Sequence, residues 1–221
     1  MTAVERVGAT RGAHPVLRAA RLVFAVLGLV ALVWIPARNL DDSTFSIANY
    51  FSYFTILSNV LAVVVLAVGA VRDPQDTRWQ LVRGAATVYM VITGIVYAVL
   101  LANVDVMLQD RWINDVLHRI LPLVLLVDWI LAPPRDRITG RQSLTWLAFP
   151  FVYGIYTLLR GPFVDWYPYP FIDPRQQGYL QLAIGLVVLL IAMALMALAV
   201  NAVGRLARRR GDRAVRSGTV A

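Results

Sequence analysis

Residues 53–71 read YFTILSNVLAVVVLAVGAV, a stretch in which seven residues of mixed character precede twelve almost uniformly apolar ones. A helix that spans a lipid bilayer needs about 20 mostly apolar residues. The stretch therefore predicts a membrane-spanning helix. It also raises the question of why the polar residues Thr55, Ser58 and Asn59 lie near one end of that helix.

The whole chain has the composition of an integral membrane protein. Of its 221 residues, 59% are hydrophobic and 15% are charged, and apolar stretches recur along its length. It contains no cysteine, which excludes a disulfide framework, a thiol nucleophile and a cysteine-ligated metal. Every basic residue is an arginine. This bias is typical of GC-rich coding sequences, so we expect a bacterial protein.

Six segments are long and apolar enough to be spanning helices, and short connections join them. Only helices and closed barrels satisfy the backbone in lipid, and these segments lack the alternation of barrel strands. We therefore predict an all-α bundle of six transmembrane helices in a single domain, residues 1–204. The predicted spans are 17–36, 48–70, 82–102, 113–132, 143–159 and 179–203.

The distribution of arginine predicts the orientation of this bundle. Sixteen of the 21 arginines lie in the two terminal tails and in the second and fourth connections, and four lie in the other three connections. Because basic residues are enriched on the cytoplasmic side, we predict a plasma-membrane protein with both termini in the cytoplasm. The net charge of +8 is then explained by contact with anionic lipid headgroups rather than with nucleic acid. The basic segment 205–221 is predicted to be a disordered tail.

Only one histidine lies within a predicted span. His118 belongs to the fourth span together with Arg119 and Asp128, and ionisable residues in spans are functional candidates by default. Counted from the outer ends of their spans at 1.5 Å per residue, Thr55 lies about 10 Å deep and His118 about 8 Å deep. We therefore expect these two side chains to meet. Asp128 lies near the cytoplasmic end, where we expect a structural ion pair with a loop arginine.

Further polar residues lie at the same level of the predicted bundle. Ser52, Thr55, Ser58 and Asn59 share one face of the second span, and the outer parts of the fourth and fifth spans are also polar. Small polar residues in membrane helices often serve helix packing, which is the simplest explanation for the serines considered alone. The supporting candidates for a site are Ser58, Asn59, Asn114, Asp115, Arg119, Tyr153 and Thr157.

These residue types suit the hydrolysis of an ester. A threonine hydroxyl becomes a nucleophile when a base takes its proton, and neutral imidazole is such a base. Attack on an ester carbonyl creates an oxyanion, for which the Asn59 amide is the candidate donor. Arg119 is a candidate for holding a carboxylate on the substrate. We expect an acyl-lipid substrate that arrives from the bilayer, and neither a metal nor another cofactor.

Four features of the sequence together resemble a known family. They are FSYFTILSN at 51–59, HRILPLVLLVDW at 118–129, YPYPFID at 167–173 and the six-span layout. They are similar to prokaryotic six-pass membrane proteins related to the androgen-induced protein and the androgen-dependent TFPI-regulating protein. Animal members are intramembrane threonine hydrolases that cleave fatty acid esters of hydroxy fatty acids. The resemblance implies that Thr55 is the nucleophile and that His118, shortly before a Leu-Pro, is the essential histidine.

Two other functions are compatible with the sequence. Six spans with buried charge suit a small-molecule or lipid transporter or channel. However, the weakly similar segments YFTILSN (53–59) and YTLLRG (156–161) both lie at the outer ends of their spans. An inverted repeat, which is common in transporters, would place them on opposite sides of the membrane. A non-catalytic scaffold or lipid sensor is the second alternative. The loop 161–178, which is rich in proline and aromatic residues, is either an interfacial anchor or a lid over the site.

Overall fold

The computed structural model describes residues 12–101 and 110–218. In this part of the chain the regular elements are all helical, and several long apolar helices are compatible with a membrane bundle, in agreement with the predicted class. Five of the described helices are long and apolar enough to cross a membrane. They are Pro15–Arg38, Phe54–Val71, Thr77–Val99, Gly140–Val164 and Pro174–Arg213.

The helices follow one another through short connections. The first four are α1 (Pro15–Arg38), α2 (Ile47–Tyr50), α3 (Phe54–Val71) and α4 (Thr77–Val96). The others are α5 (Arg111–Asp115), α6 (Leu121–Leu131), α7 (Gly140–Leu144), α8 (Ala148–Val164) and α9 (Pro174–Gly218). Helix α4 lies at the centre, because it packs against α3, α6 and α9, while α1 packs along α3.

Two π-helical turns interrupt the bundle near the end that contains Thr55. One, Tyr97–Leu101, prolongs α4, and the other, Val116–Ile120, joins α5 to α6. The resulting segment, Arg111–Leu131, corresponds to the predicted fourth span, 113–132. It is not one of the five helices named above, since four charged residues are spread along it, namely Arg111, Asp115, Arg119 and Asp128.

The predicted second span, 48–70, consists of two helices in the structure. Helix α2 ends at Tyr50, and Tyr53 has an extended backbone, with φ −77° and ψ 131°, immediately before α3 begins. Thr55 therefore lies in the first turn of α3 rather than seven residues inside a longer helix. This position places Thr55 among the N–H groups that have no partner within the helix.

Buried ion pairs join the helices at the end opposite Thr55. Asp128 of α6 pairs with Arg21 of α1 at 2.5 Å and with Arg83 of α4 at 2.8 Å. Arg21 also pairs with Asp73, in the α3–α4 connection, at 2.7 Å. Burial acts to raise the pKa of Asp73, but the Ala13 N–H and the Arg21 guanidinium together lower that pKa below its usual range. Asp128 thus forms the expected ion pair, but its partners Arg83 and Arg21 both lie in helices, α4 and α1, rather than in a loop.

The last helix is bent at one glycine and extends into the basic tail. Gly178 has a φ of 78°, a conformation that glycine adopts freely, and there α9 changes direction after the loop that joins it to α8. Beyond this bend α9 continues to Gly218, so it includes most of the segment 205–221. Arginine and alanine dominate this segment and favour the helix. Residues 219–221 lie outside the described part.

Candidate functional site

A cavity of about 330 Å³ lies beside the N-terminus of α3, between α4, α8 and α9. Its wall is formed mainly by aliphatic and aromatic side chains. The two predicted catalytic residues both line it, although they are 63 positions apart in the sequence. The polar side chains in the wall are Thr55, Thr93, His118, Tyr153 and Tyr169.

Two tyrosines satisfy the first N–H groups of α3. The Phe54 N–H donates to the Tyr153 hydroxyl at 3.1 Å, and the Thr55 N–H donates to the Tyr169 hydroxyl at 3.2 Å. Tyr153 donates its own proton to the carbonyl of Ser52 at 2.9 Å. The N-terminus of a helix has a partial positive charge. Negative charge that develops on or beside the Thr55 hydroxyl is therefore favoured at this position.

Tyr169 is a site residue that the sequence candidates did not include. Its hydroxyl oxygen lies 3.4 Å from Thr55 Oγ1 as well as accepting the Thr55 N–H. Because the oxygen acts as an acceptor for that N–H, the proton of Tyr169 is available to Thr55 Oγ1 or to an oxyanion next to it. Hydrogen bonds in series polarise one another, which strengthens Tyr169 as a donor. The sequence offered one hint of this role, since Tyr169 lies in the loop 161–178, which was predicted to be either an interfacial anchor or a lid over the site.

The loop that contains Tyr169 contributes three residues to the wall of the cavity, Tyr169, Phe171 and Ile172. Tyr169 stacks on Phe171, with ring centroids 5.1 Å apart, and contacts the edge of Tyr53 at 5.7 Å. At the end of the loop, hydrogen bonds from Arg175 lower the pKa of Asp173 below its usual range. Stacked rings and this ion pair thus hold Tyr169 over the first turn of α3.

His118 lies in the π turn Val116–Ile120, and the cause of that turn is visible in the sequence. Pro122, four residues after His118, has no N–H to donate to the His118 carbonyl. The Leu121 N–H bonds to the Val116 carbonyl, five residues earlier, which is the π pattern, and the Leu117 carbonyl accepts a hydrogen bond from Asn59 Nδ2. Single π turns in membrane and soluble helices occur frequently at functional sites.

Contacts of the His118 ring determine its tautomer. Ring atom Nδ1 lies 3.1 Å from the Asn114 carbonyl, which accepts a hydrogen bond, so the proton is on Nδ1 and Nε2 is free to act as a base. Tyr97 stacks on the ring with centroids 4.5 Å apart. In the described part of the chain the Thr55 hydroxyl bonds to Tyr169 and not to His118.

Asn59 links the two helices that hold the candidate catalytic residues. Its side chain is fully buried, and Nδ2 donates to the Thr55 carbonyl at 2.9 Å and to the Leu117 carbonyl at 3.1 Å. An amide nitrogen has two hydrogens, so both are used. Asn59 therefore does not serve as the oxyanion donor for which it was a candidate. It positions Thr55 relative to the residue that precedes His118.

The other supporting candidates divide between the cavity and its surroundings. Tyr153 lines the cavity, whereas Asn114 lies behind the histidine and donates from Nδ2 to the Tyr97 hydroxyl at 2.5 Å. Arg119 pairs with Asp115 at 2.7 Å on an exposed surface away from the cavity wall. Two more side chains are buried and have no hydrogen-bond partner within the described residues, namely Ser58 and Thr157.

The site thus combines a hydroxyl at a helix N-terminus, an imidazole with one free nitrogen, a phenol donor and an apolar cavity. No protein-family model, no curated protein and no solved structure matches this chain.

Proposed function

We propose that this protein is an intramembrane hydrolase that cleaves a lipid ester, with Thr55 as the nucleophile and His118 as the general base. The observation that supports this function best is that both side chains line one largely apolar cavity. A cavity of this kind suits an acyl chain, and the two polar groups suit the ester at its end. The resemblance to the androgen-induced protein family suggests fatty acid esters of hydroxy fatty acids as the first substrates to test.

The reaction follows from the chemistry of these groups. His118 Nε2 takes the proton of Thr55 Oγ1, which attacks the ester carbonyl carbon. The Tyr169 hydroxyl and the N-terminus of α3 stabilise the oxyanion. His118 then gives its proton to the departing alcohol, which leaves an acyl-threonine. Water, activated by the same imidazole, hydrolyses that ester and releases a fatty acid.

The proposal includes a topology. The segment Arg111–Leu131 serves as a sixth span, which brings both termini to the same side of a bacterial plasma membrane. The asymmetry of arginine places that side in the cytoplasm. Thr55, His118 and the loop between α8 and α9 then lie toward the outer leaflet.

Purified protein in detergent micelles tests the enzymatic function. The unsubstituted protein releases free fatty acid from a fatty acid ester of a hydroxy fatty acid, measured by mass spectrometry. Thr55→Ala and His118→Ala each abolish release, while Thr44→Ala and His14→Ala, in exposed positions outside the cavity, retain it. Thermal unfolding of all four variants shows that the fold is kept. Full activity of either Thr55→Ala or His118→Ala contradicts the assignment.

A fluorophosphonate probe separates this function from the alternatives. The probe labels the protein at Thr55, and labelling disappears in Thr55→Ala. If the folded protein shows neither labelling nor fatty acid release, the hydrolase function is wrong. Transport is then the alternative, and an uptake assay in liposomes measures it.

A further inference from the structure

The wall of the cavity is uncharged. Within the described residues, no Asp, Glu, Lys or Arg side chain lines it, and its polar groups are hydroxyls and one imidazole. Thr93 Oγ1 is buried and has no hydrogen-bond partner in this part of the chain, so it is available to a neutral polar group. A carboxylate moved from water into such a wall loses its hydration and finds no counter-ion.

Three arginines near this end of the bundle, Arg119, Arg160 and Arg175, are engaged elsewhere. Arg119 pairs with Asp115, and its side chain is 60% exposed. Arg160 donates to Asn49 Oδ1 at 2.6 Å. Arg175 follows the loop between α8 and α9 and pairs with Asp165 and Asp173, at the two ends of that loop. None of these three arginines lines the cavity, which leaves a substrate carboxylate without a partner there.

The cavity opens toward the surface that faces lipid. Phe151 of α8 and Val187 of α9 both line the cavity, yet each is 58% exposed. These two helices pack little against each other, which leaves a gap between them. Gly154 of α8 also lines the cavity, and a Cβ atom added there meets no atom within 4 Å. The gap thus connects the bilayer with the side chains of Thr55 and His118.

We propose that the substrate is an uncharged ester lipid, which reaches Thr55 from the bilayer through the gap between α8 and α9. This substrate class rests on the hydrolase function proposed above. The acyl chain lies along the aliphatic wall that includes Ile92, Val96 and Met193, and the ester carbonyl lies at Tyr169. A carboxylate on the lipid slows cleavage, because the wall of the cavity offers it no counter-ion.

The same wall promotes release of the product. Hydrolysis adds water across the acyl–oxygen bond and gives a neutral alcohol and a fatty acid, which ionises near neutral pH. The new carboxylate is disfavoured in the uncharged cavity, so the acid returns to the membrane interface.

A matched pair of lipids tests the substrate class. The palmitic ester of hydroxystearic acid and the methyl ester of that same lipid present an identical reacting ester, and they differ in one carboxylate. We expect kcat/KM for palmitate release to be about 10- to 100-fold higher for the methyl ester, in keeping with the cost of charge in an apolar site. Equal or faster release from the free acid overturns the substrate class and leaves the hydrolase function intact.

Probe labelling keeps the two proposals distinguishable. If the fluorophosphonate labels Thr55 but neither lipid releases palmitate, the substrate class alone is wrong. If labelling and release are both absent from folded protein, the hydrolase function is wrong, and this proposal with it.

Two glycine variants test the route. Gly154→Leu fills the gap at the cavity and reduces palmitate release from the methyl ester by about tenfold or more. The control is Gly185→Leu, since Gly185 of α9 also has open space around its Cα but does not line the cavity. It retains the rate of the unsubstituted protein. Equal rates in the two variants, with thermal unfolding unchanged, overturn the route between α8 and α9.

Discussion

The chemical environment of Thr55 results from an interruption between the helices α2 and α3, where a continuous helix was predicted. The extended backbone of Tyr53 starts a new helix at Phe54, which leaves the Thr55 N–H without a partner in the helix. The Tyr169 hydroxyl accepts that N–H and approaches the Thr55 hydroxyl. The residue that caps the helix is thereby also the residue best placed to donate to an oxyanion.

Replacing Tyr169 by Phe tests this double role. Tyr169→Phe keeps the stacked ring but removes the hydroxyl, and we expect kcat to fall about 10²-fold, as for loss of one oxyanion donor. Steady-state release of fatty acid measures the effect. Tyr179→Phe serves as the control, because Tyr179 is 81% exposed and does not line the cavity. Similar rates for Tyr169→Phe and the control are evidence against the donor.

Asn59 offers a second test at the level of one residue. Asn59→Ala leaves the Thr55 and Leu117 carbonyls without their donor, and we expect a loss of about 1–3 kcal/mol in unfolding free energy. The rate of probe labelling at Thr55 falls as well, since the nucleophile is no longer linked to the helix of His118. Asn201→Ala removes another buried amide, which bonds to Thr139 at the far end, and loses stability without slowing the labelling. Equal labelling rates in the two variants contradict a positioning role.

Among the helices, the segment Arg111–Leu131 depends on one proline for its irregular shape. Pro122 removes the donor for the His118 carbonyl, and the chain responds with the π turn. Gly94 of α4 allows close approach at the same point, because a Cβ there lies 3.2 Å from the His118 carbonyl oxygen. The orientation of the imidazole therefore depends on the geometry of two helices together.

Pro122→Ala restores a backbone donor four residues after His118. We expect the π turn to relax toward α-helix, which rotates the ring away from the cavity and reduces fatty acid release. Thermal stability stays equal or increases, because a helix interior favours alanine over proline by about 3 kcal/mol. Activity and the unfolding temperature are measured on the same preparation. Unchanged activity of Pro122→Ala would show that the π turn is not needed for catalysis.

The buried ion pairs of Asp128 hold the helices α1, α4 and α6 together. Asp128→Asn leaves Arg21 and Arg83 buried with one fewer carboxylate charge between them, and we expect a loss of about 3–5 kcal/mol in unfolding free energy. Chemical unfolding in detergent measures it. Asp115→Asn breaks an exposed i,i+4 pair and costs about 0.3–0.5 kcal/mol. A small effect of Asp128→Asn refutes a structural role for this cluster.

At the scale of the whole molecule, the number of spans decides whether the two termini lie on the same side of the membrane. Five described helices are long and apolar enough to cross, and Arg111–Leu131 is the segment that makes the number even. On the topology proposed above, with six spans and cytoplasmic termini, the loop that contains Tyr169 lies outside the cell and the buried ion pairs lie near the cytoplasm.

Because the chain has no cysteine, single introduced cysteines report the topology without background. The positions are exposed in the structure, namely Ser43, Arg78, Arg137 and Gln176. In intact spheroplasts, a membrane-impermeant maleimide labels the variants Ser43→Cys and Gln176→Cys, and it labels Arg78→Cys and Arg137→Cys only after permeabilisation. Labelling of Arg137→Cys in intact cells shows that Arg111–Leu131 does not cross.

The sequence alone determined the membrane class, the long helices and the pairing of Thr55 with His118 as candidates. These follow from local quantities, namely the length of apolar runs, the positions of arginines and the depth of polar residues. Only the tertiary structure decided that α3 begins at Phe54, that Tyr169 reaches Thr55, and that Asn59 joins two helices. The gap between α8 and α9 was likewise not foreseeable. Each depends on contacts between residues far apart in the chain, because a buried hydrogen-bonding group takes its partner from whichever element the fold places beside it.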